Sequence, residues 1–381
     1  ESKALGIKMG DVFYQVKDVL EKNGVAVFSS NYNLYGDMSR RVMSLLSTYT
    51  PKLDIYSIDE AFLDLTGMGD MEFLSSYCKQ MVRDITKGTG IPISLGVAPT
   101  KTLAKMASKY AKKHKGYEGA CFIDTEEKRE KALKLFPVED VWGIGYRHVK
   151  KLAYHGIHTA WDLTQRSESW IRKELTITGV RTWKELRGES CVSIDEPPHK
   201  KSICTSRSFS GSGLNKLADV EEAVANFAAA CSRKLREGHI VCSSVTVFAH
   251  TSRFRIDVPQ NYIYRTINLV VPTNDMQELV SVAVKTLRED WKEGGFLYKK
   301  AGVIVWNTCE DKAIQGNLFD EVNREKQAAL AKAIDAINHK NGHNTIRMAV
   351  QGYSRNWHLK NEYISKQYTT NLKDIIVVKA K

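Results

Sequence analysis

Two carboxylates in succession, Asp59 and Glu60, stand at the centre of the segment Asp54-Ile55-Tyr56-Ser57-Ile58-Asp59-Glu60-Ala61-Phe62-Leu63-Asp64-Leu65-Thr66-Gly67. Leu53, Ile55 and Tyr56 read as one short strand and the alternation from Ala61 to Leu65 as another, so the acids fall at the bend of a hairpin. Neighbouring side chains on a regular strand leave on opposite faces, and the two acids reach one cation only if the backbone turns there. An acidic tip of this kind fits Mg²⁺, which prefers oxygen ligands and shares them with substrate phosphates. Taken by itself the stretch also fits an ordinary polar turn, where Asp and Ser are common.

The surroundings of the hairpin alternate helix and strand. Periodicity predicts helices over residues 11–23, 38–50, 70–86 and 100–113, with strands at 25–29 and 91–98. Pro51 ends the second helix. This order implies an α/β sheet carrying packed helices. On the helix after Thr100, Lys101, Lys105, Lys109 and Lys112 recur at i, i+4, i+8 and i+11, opposite Leu103, Met106 and Tyr110. The stripe is either a solvated face or a surface for phosphates beside the acidic hairpin.

Charge narrows the class of partner. The 381-residue chain has a net charge of +12, and residues 199–381 hold 27 Lys and Arg against 18 Asp and Glu, nine of the twelve excess charges. A polyanion is the natural partner of such a chain. The length allows about two to four cores. No apolar run reaches the ~18 residues of a membrane span, so no membrane role is expected. The seven cysteines, Cys78, Cys121, Cys191, Cys204, Cys231, Cys242 and Cys309, form no C-x-x-C pair and fit packing positions in a reducing cytoplasm.

Residues 136–165 give a sharper signal. A short helix ends at Gly143, Ile144 plugs the turn, and Gly145 opens a second helix toward Gly156, the pattern of a helix-hairpin-helix. Glycines here permit positive φ and close approach of a phosphate to the amides of the following helix. Such a contact reads the nucleic acid backbone and not its sequence. A glycine-capped helical hairpin without a ligand has the same pattern.

Asp195-Glu196-Pro197-Pro198 reads as a stiff linker. Beyond it, residues 202–306 follow the order βαββαβ, the ferredoxin-like split. Arg207, Arg253, Arg255 and Arg265 are expected on its open sheet face as contacts to a phosphate backbone. The tail carries Gln315-Gly316-Asn317-Leu318-Phe319, an amide followed by two apolar plugs, and then a helix over 323–339.

These parts in this order resemble the Y-family translesion DNA polymerases. The resemblance rests on Tyr56-Ser57-Ile58-Asp59-Glu60-Ala61-Phe62, on Gly96-Val97-Ala98-Pro99-Thr100-Lys101-Thr102-Leu103-Ala104-Lys105, and on Val141-Trp142-Gly143-Ile144-Gly145. The tail and Phe28-Ser29-Ser30-Asn31-Tyr32 look most like the UmuC group, the catalytic subunits of bacterial DNA polymerase V.

The resemblance implies a multidomain α/β (α+β) right-hand polymerase: fingers at 1–36, palm at 37–124, helix-hairpin-helix thumb at 125–195, little finger at 199–310 and a partner-binding tail at 311–381. It implies that Asp59 and Glu60 bind two Mg²⁺ ions, that Lys3 and Lys112 contact the incoming dNTP, and that Lys105, Gly143, Gly145, Arg207 and Arg265 contact DNA. It makes Gln315, Leu318 and Phe319 a β sliding clamp peptide, although Gly316 departs from the bulkier residue common there. Primer-template DNA, a processed UmuD dimer and the RecA filament are the further implied partners. The implied setting is the SOS DNA-damage response, mutagenesis and repair, in a bacterial cytoplasm at the nucleoid.

The family's palm begins with a strand that carries another metal-binding Asp, followed closely by an aromatic residue that excludes ribonucleotides. By that layout about forty residues are expected ahead of Glu1. An alternative reading follows, a non-catalytic DNA- and clamp-binding module. A helix-hairpin-helix repair nuclease or glycosylase is a third, and it leaves the clamp-like peptide and the βαββαβ unit without a role.

Overall fold

The structure, a computed structural model, describes residues 2–192, 200–312, 314–342, 344–353, 356–358 and 361–378. Its contacts divide the chain into two units, Glu1–Glu196 with Tyr363–Lys381, and Pro197–Glu362. The linker read at Asp195–Pro198 lies outside the described residues.

The first unit opens with a short turn at Ser2–Leu5 and α1 (Phe13–Lys22). Helix α2 (Tyr32–Leu46) starts earlier than its periodicity predicts, because Asn31 caps it by accepting the Leu34 amide at 3.2 Å. Gly36 therefore lies inside the helix; glycine there costs about 1 kcal/mol, offset by burial of Val42, Met43 and Leu46. The strand expected at 25–29 is reduced to a single parallel bridge between Ser29 and Ile364.

β1 (Leu53–Ile55) and β2 (Ala61–Leu63) form the antiparallel hairpin, with Asp54 opposite Phe62. α3 (Met71–Thr89) begins on the Asp70 cap and ends at Gly90, whose φ of +73° is open to glycine. β3 (Leu95–Val97) then pairs in parallel with β4 (Ala120–Phe122) across α4 (Lys101–Lys113). Instead of one sheet, the described residues of the first unit form two separate two-stranded sheets. A Cβ at Gly96 would overlap the Ala104 carbonyl and the Ser108 amide, so glycine lets α4 lie directly on β3.

α4 buries Leu103, Met106 and Ala107 in a core shared with α5 (Glu126–Leu135), α6 (Tyr146–Tyr154), α7 (Ala160–Thr164) and α8 (Glu168–Leu186). The start of α4 is clamped to the end of α8. Thr100 caps α4 and donates its hydroxyl to the Glu185 carbonyl at 2.8 Å. The fully buried Glu185 carboxylate accepts the amides of Thr102 (2.8 Å), Cys191 (2.9 Å) and Val192 (3.1 Å).

The second unit contains β5 (Ser202–Ser208), α9 (Leu217–Glu237), β6 (Ile240–Thr251), β7 (Tyr262–Thr273), α10 (Met276–Asp290) and β8 (Tyr298–Glu310). The strand order is β5-β8-β6-β7, every neighbouring pair antiparallel. Each helix thus joins two parallel strands with one strand between them, the split expected of βαββαβ. Alternation sends Val245, Val247, Ala249, Ala301, Val303 and Val305 to the buried side with α9 and α10.

The stretch 311–381 does not behave as one tail. α11 (Arg324–Asn341) belongs to the second unit, where Arg236 and Asp335 form a bidentate pair at 2.6 and 2.7 Å. Trp357 is buried in that unit's core and donates its indole N–H to Glu222 at 3.1 Å. From Tyr363 onward the chain belongs to the first unit. There the fully buried Asn31 donates its amide to the Ser365 carbonyl and hydroxyl, each at 3.1 Å, and Ser29 N–H donates to the Tyr363 carbonyl at 2.8 Å. All seven cysteines are free thiols. No helix among the described residues is long and apolar enough to cross a membrane.

Candidate active site

The acidic hairpin turns within Tyr56–Glu60, where the Tyr56 and Ser57 amides both donate to the Glu60 carbonyl at 3.0 Å. Ser57 donates its hydroxyl to Asp59 Oδ1 at 2.6 Å. The turn leaves both carboxylates exposed, at the mouth of a cavity of about 1690 Å³. Ala61, Leu63, Leu95, Val97, Val42 and Met81 line its apolar interior. Lys101, Lys105 and Lys112 line the same cavity.

The lysine stripe of α4 is not a uniformly solvated face. Lys101 pairs with Asp54 at 2.8 Å, Lys105 with Glu60 at 3.0 Å, and Lys109 with Asp140. Lys112, one turn further on and exposed, makes no ion pair among the described residues. Three rings sit under the stripe. Tyr56, Phe62 and Trp142 pack with centroids 5.4 to 5.8 Å apart, and Trp142 donates its indole N–H to the Tyr56 hydroxyl at 3.3 Å. Lys101 lies over Phe62 at 4.8 Å, while Lys105 lies over Tyr56 at 4.9 Å and Trp142 at 5.1 Å.

Trp142 ties the hairpin to the helical turn that carries Gly143 and Gly145. Gly143 has the expected positive φ of +93°, and a Cβ there would press on the Thr182 hydroxyl. Gly145 departs from expectation: its φ is −89° and ψ 167°, an extended cap at the start of α6. Its value lies in the bare approach to the first-turn amides, since nothing stands within 4 Å of a Cβ placed there.

Other residues singled out from sequence are dispersed. Lys3 lies exposed in the first turn and does not line the cavity. Gln315, Leu318 and Phe319 stand on an irregular exposed segment, Leu318 and Phe319 being 100% and 88% exposed.

The arginines of the second unit are not on its open sheet face. Arg265 alternates with Ile263 and Ile267, so it points to the helix side, where it pairs with Glu289 at 2.9 Å and Asp290 at 3.0 Å. Arg207 shares its face with the buried Ile203 and sits opposite Ala301, and Arg253 and Arg255 lie in the β6–β7 loop. The open face instead carries aromatic and hydroxyl groups. Tyr264, Phe248, Gly302 and Ser206 form one cross-strand row, and Tyr262, His250, Lys300 and Ser208 the next.

Sequence patterns missed Asp54, Tyr56, Trp142 and Glu185 as members of the site and its frame. Only the repeat of lysines at i, i+4 and i+8, each needing a counter-charge, hinted at the partners.

The donor chemistry at the hairpin fits a hard divalent cation: two adjacent carboxylates open to a cavity that also presents ammonium groups. Among the described residues no group of three or more His, Cys, Asp or Glu side chains gathers around one point.

Comparison with known proteins decides the family. The chain is 39% identical over 382 residues to Protein UmuC of Salmonella typhimurium (strain LT2), an alignment covering 100% of this chain and 90% of that one. The chain belongs to the impB/mucB/samB family. The model of that family matches residues 1–109, that of its C-terminal domain 200–318, and that of a domain of unknown function, DUF4113, 328–378. Protein MucB of Escherichia coli is 34% identical over 100% of the chain and 90% of its own length. DNA polymerase IV of Clostridium acetobutylicum is 25% identical over 92% of the chain and 84% of its own. Among solved structures, a Y-family DNA polymerase chimera built from Dbh and Dpo4 aligns with a TM-score of 0.63 at 19% identity, covering 81% of this chain and 86% of that one. The fold is that of the Y-family polymerases, mixed α/β.

Proposed function

We infer that the chain is a translesion DNA polymerase subunit, a DNA-directed nucleotidyltransferase of the Y family. One observation carries this reading to the residues: Asp59 and Glu60 share a cavity with Lys112, and the hairpin that bears them is bonded through Tyr56 to the glycine turn at Trp142. We read residues 37–124 as palm, 125–195 as thumb and 199–310 as little finger, with fingers at 1–36.

Asp59 and Glu60 would hold Mg²⁺, two ions in the reading preferred here. When bound, the metal supplies charge neutralisation for the attacking 3′-hydroxyl and the triphosphate. Lys112, exposed and without an ion pair among the described residues, would meet the phosphates of an incoming nucleotide. Lys3 lies outside the cavity, so the nucleotide-binding part of the proposal rests on Lys112. Gly143 and Gly145 leave the α6 amides open to a DNA phosphate.

The exposed Gln315, Leu318 and Phe319 support docking to a β sliding clamp. Processed UmuD and RecA are proposed as partners in the SOS response through the likeness to UmuC. Neither the geometry nor the comparisons favour a non-catalytic binding module. Product analysis on a primed lesion template tests the function: elongation of the primer is expected, and strand cleavage without elongation would support the nuclease reading instead.

A further inference from the structure

We infer that Lys105 is a resident counter-ion of Glu60 that gives up the carboxylate, keeping its place over the aromatic pair Tyr56–Trp142, when a divalent cation takes Glu60. The inference rests on the metal-binding reading of Asp59 and Glu60.

Three lysines of α4 meet carboxylates, but only Lys105 meets one of the two hairpin acids. Lys101 and Lys109 are held by Asp54 and Asp140, outside the proposed ligands. The Lys105 ammonium is 3.0 Å from Glu60 Oε2, with its side chain 23% exposed. That is where a positive ion bound by Glu60 would also bring its charge. An ammonium and a divalent cation on one carboxylate repel, so one must yield.

A bare lysine would yield to solvent at random. While paired with Glu60, the Lys105 ammonium already lies over the faces of Tyr56 and Trp142 at 4.9 and 5.1 Å, rings joined by their own hydrogen bond. Cation–π attraction retains the ammonium there after Glu60 turns away. The arrangement keeps Glu60 neutralised while no metal is bound. It makes metal affinity a competition inside the protein, with Lys105 positioning Glu60 rather than acting on substrate.

Competition predicts an increase in affinity on removing a cation. Lys105→Met retains helix propensity and apolar length over the two rings, so the fold is kept. Binding of Mn²⁺ to the full-length protein, read as the loss of free-ion electron paramagnetic resonance signal, is compared in wild type, Lys105→Met, Glu60→Gln, Asp59→Asn and the Lys105→Met/Glu60→Gln double variant. Lys105→Met is expected to tighten Mn²⁺ binding about fivefold or more, and the gain is expected to vanish in the Glu60→Gln background. Unchanged or weaker binding in Lys105→Met, with Glu60→Gln and Asp59→Asn still weakening it, would overturn the exchange and leave the metal reading intact. Binding unaffected by Glu60→Gln and Asp59→Asn would overturn both.

Discussion

Trp142 donates its indole N–H to the hydroxyl of Tyr56 at 3.3 Å, joining residues 86 positions apart in sequence. The bond makes the acidic hairpin and the glycine turn one mechanical piece. Trp142→Ala removes the ring from two aromatic contacts and one lysine berth. Because Trp142 is only half-buried, the expected cost is about 1–3 kcal/mol, measured by urea unfolding followed through the first unit. A variant as stable as wild type would separate the two elements.

Glu185 is the buried frame of the site. Its carboxylate satisfies three amides, those of Thr102, Cys191 and Val192. Glu185→Ala leaves these donors without their acceptor and is expected to destabilise by about 3–5 kcal/mol. Glu185→Gln keeps one acceptor oxygen and is expected to cost less than half of that. Thermal unfolding of the two variants checks the ranking.

The returning segment after Tyr363 is held through Asn31 and Asp37. Arg41 beside Asp37, with the Thr369 hydroxyl, holds the Asp37 carboxyl below the usual carboxylate range. A lowered folded pKa contributes stability above the unfolded value near 4 and loses it as pH falls through the folded value. Acidification below about pH 4 is therefore expected to expose residues 363–374 to hydrogen exchange. Asn31→Ala is expected to expose the same residues at neutral pH, with exchange at least about tenfold faster.

Cysteine reactivity should follow burial. Burial pushes the Cys78 thiol up to about 11 and the Cys242 thiol up to about 12, whereas Cys204 and Cys309 are exposed. Iodoacetamide at pH 8 is expected to modify Cys204 and Cys309 in the native protein and to spare Cys78 and Cys242 until it unfolds. Peptide mass mapping reads the outcome.

Arg265 separates the two accounts of the second unit. Its exposed ion pairs with Glu289 and Asp290 lie on the helix side. Arg265→Ala is expected to cost no more than about 1 kcal/mol of stability and to change primer-template affinity less than about twofold. Fluorescence anisotropy with a labelled duplex would contradict this by showing a large loss.

What was legible in sequence was what repeats. The lysine interval locates α4 and its buried face, and the βαββαβ order locates β7. Arg265 is two residues from Ile267 on β7 and so shares its face, a placement that the basic charge of the region does not reveal. The helix expected from residue 38 begins at Tyr32, because nothing local reveals that Asn31 caps a helix continuing through Gly36. Asp54–Lys101, Tyr56–Trp142 and the Glu185 clamp join separate elements and leave no periodic trace. The return of Tyr363 to Ser29 is likewise a tertiary choice, invisible in a polar tail.

Primer extension by the full-length protein carrying Asp59→Asn, with DNA affinity measured on the same preparation, tests whether the hairpin acids hold the catalytic metal. Extension is expected to be abolished while affinity for primer-template changes less than about tenfold, because an isosteric amide removes a metal ligand and leaves the α6 amides untouched. Retained extension in Asp59→Asn would contradict it.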